Sequence, residues 1–400
     1  MTEYPIFVFT ALLILVYGLF SKTLAKTVIT APMVFVTIGI LTTYFTVDVF
    51  REGINAPLVK ILAELTLILV LFNDASTINL SVLRKQKTLP LRLLLIGLPL
   101  TMVFGFLIAM LFFPGINLWV LALLALILSP TDAALGQAVV TGKIVPEKIR
   151  QTINVESGLN DGIALPPILI CIAVMAGSAE GGSGSSYWLL FTLKQFIFGP
   201  LIGGLTGWIC GLLVDRASKK GWMNNTFQSL SAAAIALLAY SLAEMVHGNG
   251  FIAAYFAGLL LGTNTRETRE RIQEFGEAQS QALVLFIFLL VGMIMVPFSL
   301  PYWDLQLWVY AILSLTLIRM IPVAISLWGT KLPWSSVGFI GWFGPRGIAS
   351  VLYLLLAITK LGVKGYERAF SVIVLTVMLS IFLHGITAVP LSKTFGKSLH

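Results

Sequence analysis

Long apolar segments, separated by short polar ones, run through the whole chain and predict helices that cross a membrane. A spanning α-helix needs about 20 mostly apolar residues, and most of these segments approach that length. Thirteen such segments lie near residues 5–20, 28–46, 58–79, 89–112, 118–140, 151–176, 188–214, 226–246, 250–263, 279–298, 305–328, 336–358 and 367–390. The pattern predicts an all-α polytopic membrane protein with about 13 transmembrane helices, forming one domain over residues 1–400.

Composition and charge agree with a membrane location. Hydrophobic residues make up 58% of the chain and charged residues only 11%. The net charge of +8 does not indicate nucleic acid, because 18 of the 26 Lys and Arg fall on one side if the N-terminus is outside. That asymmetry is what the positive-inside rule predicts for an odd number of helices. We expect a multi-pass protein of the cell inner membrane with a cytoplasmic C-terminus.

A polar cluster interrupts the sixth segment, where a membrane helix ordinarily carries no charge. It contains Glu156, Ser157, Asn160 and Asp161. A charged group at bilayer depth is unfavourable by about 2.5–3.5 kcal/mol even on insertion scales, so such groups usually pair or line an ion path. Helical spacing places Ser157 and Asp161 on one face, and Glu156 and Asn160 on a neighbouring one. The sequence therefore predicts a functional site on this turn.

The fifth segment carries a proline immediately before a second polar pair. Pro130 precedes Thr131 and Asp132, and a proline removes a backbone hydrogen bond and frees carbonyl oxygens. Carbonyl and carboxylate oxygens suit an alkali cation, whereas the lack of a His/Cys cluster argues against zinc. We expect no cofactor.

A second interruption, Gly344-Pro345-Arg346-Gly347, falls in the twelfth segment. Segments five and twelve are an odd number apart, so they cross the membrane in opposite senses. This arrangement is typical of inverted repeats whose two broken helices form the substrate site near the midplane. On that interpretation helices one to six repeat as eight to thirteen, and the seventh links them.

A single buried carboxylate is enough for exchange. Burial disfavours the charged form and a bound cation favours it, so Asp161 can hold either a proton or a cation. Because Asn160 rather than a second Asp precedes it, the sequence favours one proton per monovalent cation.

Several of these strings resemble the NhaP-type bacterial sodium/proton antiporters and their eukaryotic exchanger relatives. The resemblance covers most of the chain. It rests on Thr131-Asp132, Glu156-Ser-Gly-Leu-Asn160-Asp161-Gly, Gly250-Phe-Ile-Ala-Ala-Tyr-Phe-Ala-Gly258, Arg319 and Gly344-Pro-Arg346-Gly. It implies an NhaA-like fold and a secondary transporter rather than an enzyme. The implied assembly is a homodimer in which a core bundle moves like an elevator against a scaffold.

The resemblance also implies structural and functional roles for particular parts of the chain. The core would comprise residues 88–177 and 304–390, the scaffold 1–80 and 226–300, and the linking helix 188–215. Asp161 would bind the cation, sodium or lithium, and the proton. Thr131, Asp132 and Ser157 would be co-ligands, with Asn160 beside them. Glu156 would pair with Arg319, and Arg346 would compensate charge. Members with Asn-Asp in the sixth helix are electroneutral.

Two positions depart from the family pattern. Ala133 follows Asp132 where the family usually has proline, so we expect a displaced helix break. Phe72-Asn73-Asp74-Ala75 stands where the family often has Phe-Glu-x-Gly. Asp74 is the candidate replacement for that acid.

Three alternatives stay open at the sequence level. A potassium/proton antiporter would use the same residues. A passive cation channel would need buried oxygens, but no Thr-Val-Gly-Tyr-Gly filter is present. An intramembrane hydrolase could use Asp132 and Asp161 as a dyad, although no His-Glu-x-x-His motif or Ser/His pair accompanies them.

Overall fold

The structure is a computed structural model, and its described residues are helical throughout, with no strand among them. It describes residues 4–24, 27–46, 57–78, 88–132, 135, 144–179, 185–262 and 266–397. Ala133 and most of the end of the fifth predicted segment lie outside these ranges. Within them, the prediction of an all-α fold is confirmed.

The helices follow the predicted segments in order. They are α1 (Tyr4–Leu24), α2 (Ala31–Thr46), α3 (Pro57–Thr77), α4 (Thr88–Phe112), α5 (Leu118–Ile127), α6 (Glu147–Ala179), α7 (Ser185–Lys219), α8 (Asn225–Met245), α9 (Gly250–Leu259), α10 (Arg266–Leu290), α11 (Leu305–Ser326), α12 (Trp334–Trp342), α13 (Ile348–Leu361) and α14 (Glu367–Lys397). After α10 a π-helical turn, Val291–Met295, leads into a short helix, Val296–Ser299. Seven helices of the described residues are long and apolar enough to span a membrane, and five shorter ones are apolar. The exact number of crossings stays a prediction.

Two of the predicted membrane segments are interrupted. The fifth stops being helical at Ile127, the last residue of α5, three residues before Pro130. The twelfth is divided into α12 and α13, because residues 343–347 are not helical. Pro130 in the first interruption, and Pro345 with its flanking glycines in the second, explain the breaks, since proline has no N–H to donate and glycine lowers helix stability. The fifth helix is therefore shorter than its apolar segment.

The chain divides into two compact units. The first comprises Met1–Lys60, Gln86–Asn160 and Leu285–His400, and the second comprises Ile61–Lys85 and Asp161–Val284. Helix α6 is continuous through this division, which falls between Asn160 and Asp161. The predicted partition into a moving core and a scaffold stays a prediction.

An aromatic and aliphatic core anchors several helices of the first unit. The ring of Phe339 in α12 stacks on Phe395 of α14 with centroids 4.2 Å apart, and lies 4.6 Å from Phe343. Leu93 of α4 and Ile153 of α6 belong to the same buried cluster. This packing holds α12, and hence the start of the second break, against α4, α6 and α14.

Glycines bring α7 and α9 into backbone contact in the second unit. A Cβ added at Gly203 would lie 2.1 Å from the carbonyl oxygen of Ala253, and one at Gly207 would lie 2.2 Å from that of Ala257. Small residues four apart allow this close approach, as is common between membrane helices. The position of α9 therefore depends on this stripe.

We expect Gly203→Ala to lower the melting temperature of the purified protein, because the new methyl group must push the α9 backbone away. Overpacking of this kind destabilises by about 1–3 kcal/mol. Gly18→Ala is the matched control, since nothing lies within 4 Å of a Cβ at Gly18. Equal melting temperatures for the two variants would contradict the close-packing interpretation.

Candidate functional site

The break after α5 is held by side chains of α6. Ser157 Oγ donates a hydrogen bond to the carbonyl oxygen of Thr131 at 2.6 Å. Asn160 Nδ2 donates to Thr131 Oγ1, also at 2.6 Å. Thr131, Ser157 and Asn160 are all buried, and buried backbone groups outside helices need such partners. Three predicted site residues are thus brought together.

Asp132 joins the two breaks to each other. Its main-chain N–H donates to the carbonyl oxygen of Pro345 at 2.8 Å. Its carboxylate oxygen Oδ2 accepts from the N–H of Ile348, the first residue of α13, at 2.9 Å. A carboxylate at a helix N-terminus is favoured both by the unpaired N–H groups and by the helix dipole. The interruptions of the fifth and twelfth segments therefore meet, as the inverted-repeat pattern predicts.

Gly347 gives Asp132 the space for this contact. A Cβ at Gly347 would lie 2.1 Å from Asp132 Oδ2 and 2.7 Å from Asp132 Cγ. No side chain fits there, which explains the glycine that follows Arg346. The terminal carbonyl of α5 is also satisfied from α13, because Ser350 Oγ donates to the carbonyl oxygen of Ile127 at 2.8 Å.

Glu156 and Arg319 form a fully buried ion pair. Arg319 Nη2 lies 2.7 Å from Glu156 Oε2, and each side chain is only 1% exposed. Arg319 follows the irregular residue Thr316 in α11. A Cβ at Gly344 would lie 2.5 Å from Arg319 Nε, so this glycine makes room for the guanidinium. The charge of Glu156 is thereby compensated within the first unit.

Arg346 lies in the second break itself and is completely buried. Its main-chain N–H donates to Ser380 Oγ at 2.7 Å. Its Nη1 donates to the carbonyl oxygen of Gly344 at 2.9 Å. The side chain therefore folds back on its own segment and does not reach water.

Asp161 and Asp74 belong to the second unit. Asp161 is 5% exposed and directly follows Asn160 in α6, so helix geometry places it on the face of Ser157. Asp74 is half-buried near the end of α3. The Tyr255 hydroxyl interacts electrostatically with both carboxylates.

Sequence reasoning did not single out Tyr255, although it lies in the string Gly250 to Gly258. Its ring packs on α6 where a Cβ at Gly162 would lie 2.3 Å from Tyr255 Cζ. Ser350 and Ser380 were also missed. Lone serines and tyrosines are common in apolar helices, so nothing in the sequence distinguishes these three. Only knowledge that they face a helix break would have identified them.

Two acids and two bases lie at the breaks in the described part of the first unit: Asp132, Glu156, Arg319 and Arg346. Glu156 is compensated by Arg319, and the carboxylate of Asp132 is stabilised by the N–H of Ile348 at the start of α13. The fold and the site define a class, that of polytopic membrane proteins with two interrupted helices meeting at paired buried charges.

Comparison with known proteins gives the family. The model of the family described as sodium/hydrogen exchanger, transmembrane, matches residues 8–394. The chain belongs to this family. It is a multi-pass membrane protein.

Named relatives include antiporters of two kinds. The chain is 26% identical over 279 residues to the K(+)/H(+) antiporter NhaP2 of Shewanella oneidensis, covering 68% of this chain and 47% of that protein. It is 27% identical over 277 residues to a Na(+)/H(+) antiporter of Schizosaccharomyces pombe, covering 64% of this chain and 58% of that one. Each alignment thus spans about half the length of the curated relative.

A solved structure has the same fold. The sodium proton antiporter MjNhaP1 from Methanocaldococcus jannaschii matches with a TM-score of 0.78 and 17% identity, over 98% of each chain. The likeness confirms the antiporter fold predicted from the sequence.

We expect Glu156→Gln to destabilise the protein strongly, because it leaves Arg319 as an uncompensated buried charge. Breaking one side of a buried pair costs about 3–5 kcal/mol. The double variant Glu156→Gln/Arg319→Gln should lose less than the sum of the single variants, as thermal unfolding of a double-mutant cycle would measure. Exposed Glu147 on the same helix provides the control Glu147→Gln. Additive losses would show that the two side chains are not coupled.

Proposed function

We propose that this protein is a secondary antiporter that exchanges a monovalent cation, sodium or lithium, for a proton across the cell membrane. The observation that carries the proposal is the buried carboxylate of Asp161, which follows Asn160 on helix α6 and can bind either a proton or a cation. Membership of the exchanger family and the antiporter names of its relatives support the proposal.

The charge balance supports an electroneutral cycle. Glu156 is paired with Arg319, and the carboxylate of Asp161 carries one negative charge that one positive charge neutralises. A proton or a monovalent cation supplies that charge. Because an unneutralised carboxylate is costly to move through a low-dielectric barrier, only loaded states cross, and the two fluxes are coupled one to one.

The proposed cation ligands are oxygens of Asp161, Asp132, Thr131 and Ser157. Hydroxyl, carbonyl and carboxylate oxygens are hard ligands that suit alkali cations. The amide oxygen Oδ1 of Asn160 has no hydrogen-bond partner among the described residues, so it is a further candidate. Asp74 is proposed as an accessory acid, and Tyr255 interacts electrostatically with both it and Asp161.

Alternating access completes the proposal. The core, residues 88–177 and 304–390, would carry the loaded site as an elevator against the scaffold in a homodimer. The N-terminus would face outward and the C-terminus the cytoplasm.

Potassium is the second candidate cation. The relative NhaP2 of Shewanella oneidensis is named a K(+)/H(+) antiporter, and the proposed ligands would also serve potassium. Proton movement in sealed proteoliposomes with a pH gradient, on addition of sodium, lithium or potassium in turn, distinguishes these cations. A cation flux that ignores the proton gradient would instead indicate a channel.

We expect Asp161→Asn to abolish exchange in these vesicles while the protein still folds, since the amide can neither take up the proton nor neutralise the cation. Asp215→Asn is the matched control, because Asp215 is also a buried aspartate but is paired with Lys219 at 2.8 Å. The control should retain exchange. Retained exchange in Asp161→Asn would overturn the assignment.

We expect Asn160→Asp to make exchange sensitive to membrane potential. The second carboxylate adds one negative charge to the turn. One bound cation then no longer neutralises the turn, so the cation-loaded and proton-loaded states carry different net charges. Exchange rates measured with the potential clamped and free should coincide for the wild type and differ for the variant. Potential-independent exchange in a folded, active variant would contradict the charge balance.

A further inference from the structure

Helix α14 holds the second break through three polar side chains on one face. Ser380, His384 and Thr387 are spaced by four and three residues, so they lie on the same side of the helix. Ser380 Oγ accepts from the N–H of Arg346 at 2.7 Å. His384 Nε2 lies 2.9 Å from the carbonyl oxygen of Trp342. Thr387 Oγ1 accepts from Trp342 Nε1 at 3.1 Å.

The contacts of the His384 ring assign its hydrogen. A carbonyl oxygen only accepts, so the contact with Trp342 requires a hydrogen on Nε2. Nδ1 lies 3.1 Å from Ser380 Oγ and 3.0 Å from the Ser380 carbonyl oxygen. Ser380 Oγ, which receives the Arg346 N–H, therefore also contacts Nδ1 of the ring. The His384 ring thus links Arg346, through Ser380, to the carbonyl of Trp342.

The Trp342 carbonyl is a group that the fold must satisfy. Trp342 is the last residue of α12, and the final carbonyls of a helix have no partner within it. This oxygen also accepts from the N–H of Gly344 at 2.8 Å. The indole ring lies against the imidazole, with centroids 5.0 Å apart at 32°. His384, only 1% exposed, thus caps α12 from a neighbouring helix.

The opposite side of the same break contacts Asp132. Pro345 accepts from the Asp132 N–H, and Ile348 donates to its carboxylate. A shift of residues 342–346 away from α14 would therefore change the position of Asp132.

We propose that His384 is a positioning residue for cation binding, which holds the break at Trp342 to Arg346 so that Asp132 is presented in its binding geometry. The inference rests on the proposed function, in which Asp132 is a cation ligand. His384 contacts neither Asp132 nor the cation, and it does not carry the exchanged proton.

Three substitutions of His384 distinguish the contributions of its two ring nitrogens, Nε2 and Nδ1. His384→Gln places an amide nitrogen at the position of Nε2 and keeps the donor to Trp342. His384→Asn reaches only as far as Nδ1 and loses that donor, and His384→Ala loses both. We expect the apparent KM for the transported cation to rise about 5- to 10-fold in the Asn and Ala variants, with a smaller change in maximal rate, since one buried hydrogen bond is lost. The Gln variant should stay within about twofold of the wild type.

Serines of α14 provide a matched pair. Ser380→Ala breaks the chain to Arg346 and should raise the apparent KM, whereas Ser371→Ala should not. Both serines are fully buried, but Ser371 Oγ donates within its own helix, to the carbonyl oxygen of Glu367 at 2.7 Å. The double variant Ser380→Ala/His384→Ala should be little worse than the more severe single variant, because both substitutions break one chain.

The pH profile of exchange tests whether the His384 ring acts only through its position. Among the described residues, the charged groups that act on the ring are the guanidiniums of Arg346 and Arg319, and Arg319 is paired with Glu156. We expect His384→Gln to keep the wild-type profile. A displaced profile would show that the ring titrates during exchange and would overturn the positioning role.

Cation binding, read without transport, separates this inference from the proposed function. A cation that binds the folded protein raises its melting temperature by an amount that grows with the ratio of the cation concentration to its Kd. Suppose that a cation stabilises the wild type, and that His384→Asn reaches the same rise in melting temperature at the same cation concentration. The positioning role is then overturned, even when exchange is confirmed. If the wild type is stabilised but exchanges nothing, the antiport proposal fails, while a raised cation requirement in His384→Asn still supports the positioning role. A wild type that no cation stabilises overturns the positioning role as well.

Discussion

The hydrogen bonds of Asp132 tie together the two interrupted helices on which the candidate site depends. One residue uses its main-chain N–H on Pro345 and its carboxylate on the N–H of Ile348. Broken helices are tolerated at membrane depth only where protein groups satisfy the freed backbone. Ser157, Asn160 and Ser350 satisfy the first break. The glycine at 347 follows from the same constraint, because any side chain would displace the carboxylate.

Charge compensation gives one buried ion pair of the site a structural role. Glu156 and Arg319 neutralise each other at 2.7 Å, and removing either member leaves an isolated charge in a low-dielectric environment. A fully buried pair of this kind is poorly suited to bind and release ions. In the proposed function, Asp161 is the buried acid that binds the proton and the cation. One proton or one monovalent cation on that carboxylate gives the proposed one-to-one stoichiometry.

Helix α14 connects packing to this chemistry. Its Phe395 stacks on Phe339 of α12. Its Ser380 binds the N–H of Arg346 in the break, and its His384 binds the carbonyl of Trp342 at the end of α12. Apolar and polar contacts therefore act on the same short segment. The break in the twelfth segment is irregular in dihedral angles but is held from both sides.

Local signals in the sequence were sufficient for the helices and for the polar turn of α6. Apolar run lengths predict spanning helices, and a 3.6-residue period places Ser157 with Asp161 without any knowledge of neighbours. Pro130 predicted the first break and the Gly-Pro-Arg-Gly string predicted the second, although the fifth helix ends earlier than its apolar run. These features depend on residues close together in the chain.

Tertiary partners could not be predicted in this way, because Asp132 and Ile348, or Arg346 and Ser380, are far apart in sequence and no periodicity relates them. Only the tertiary structure, which must satisfy every buried polar group, decided that His384 caps α12 and that Tyr255 packs on Gly162.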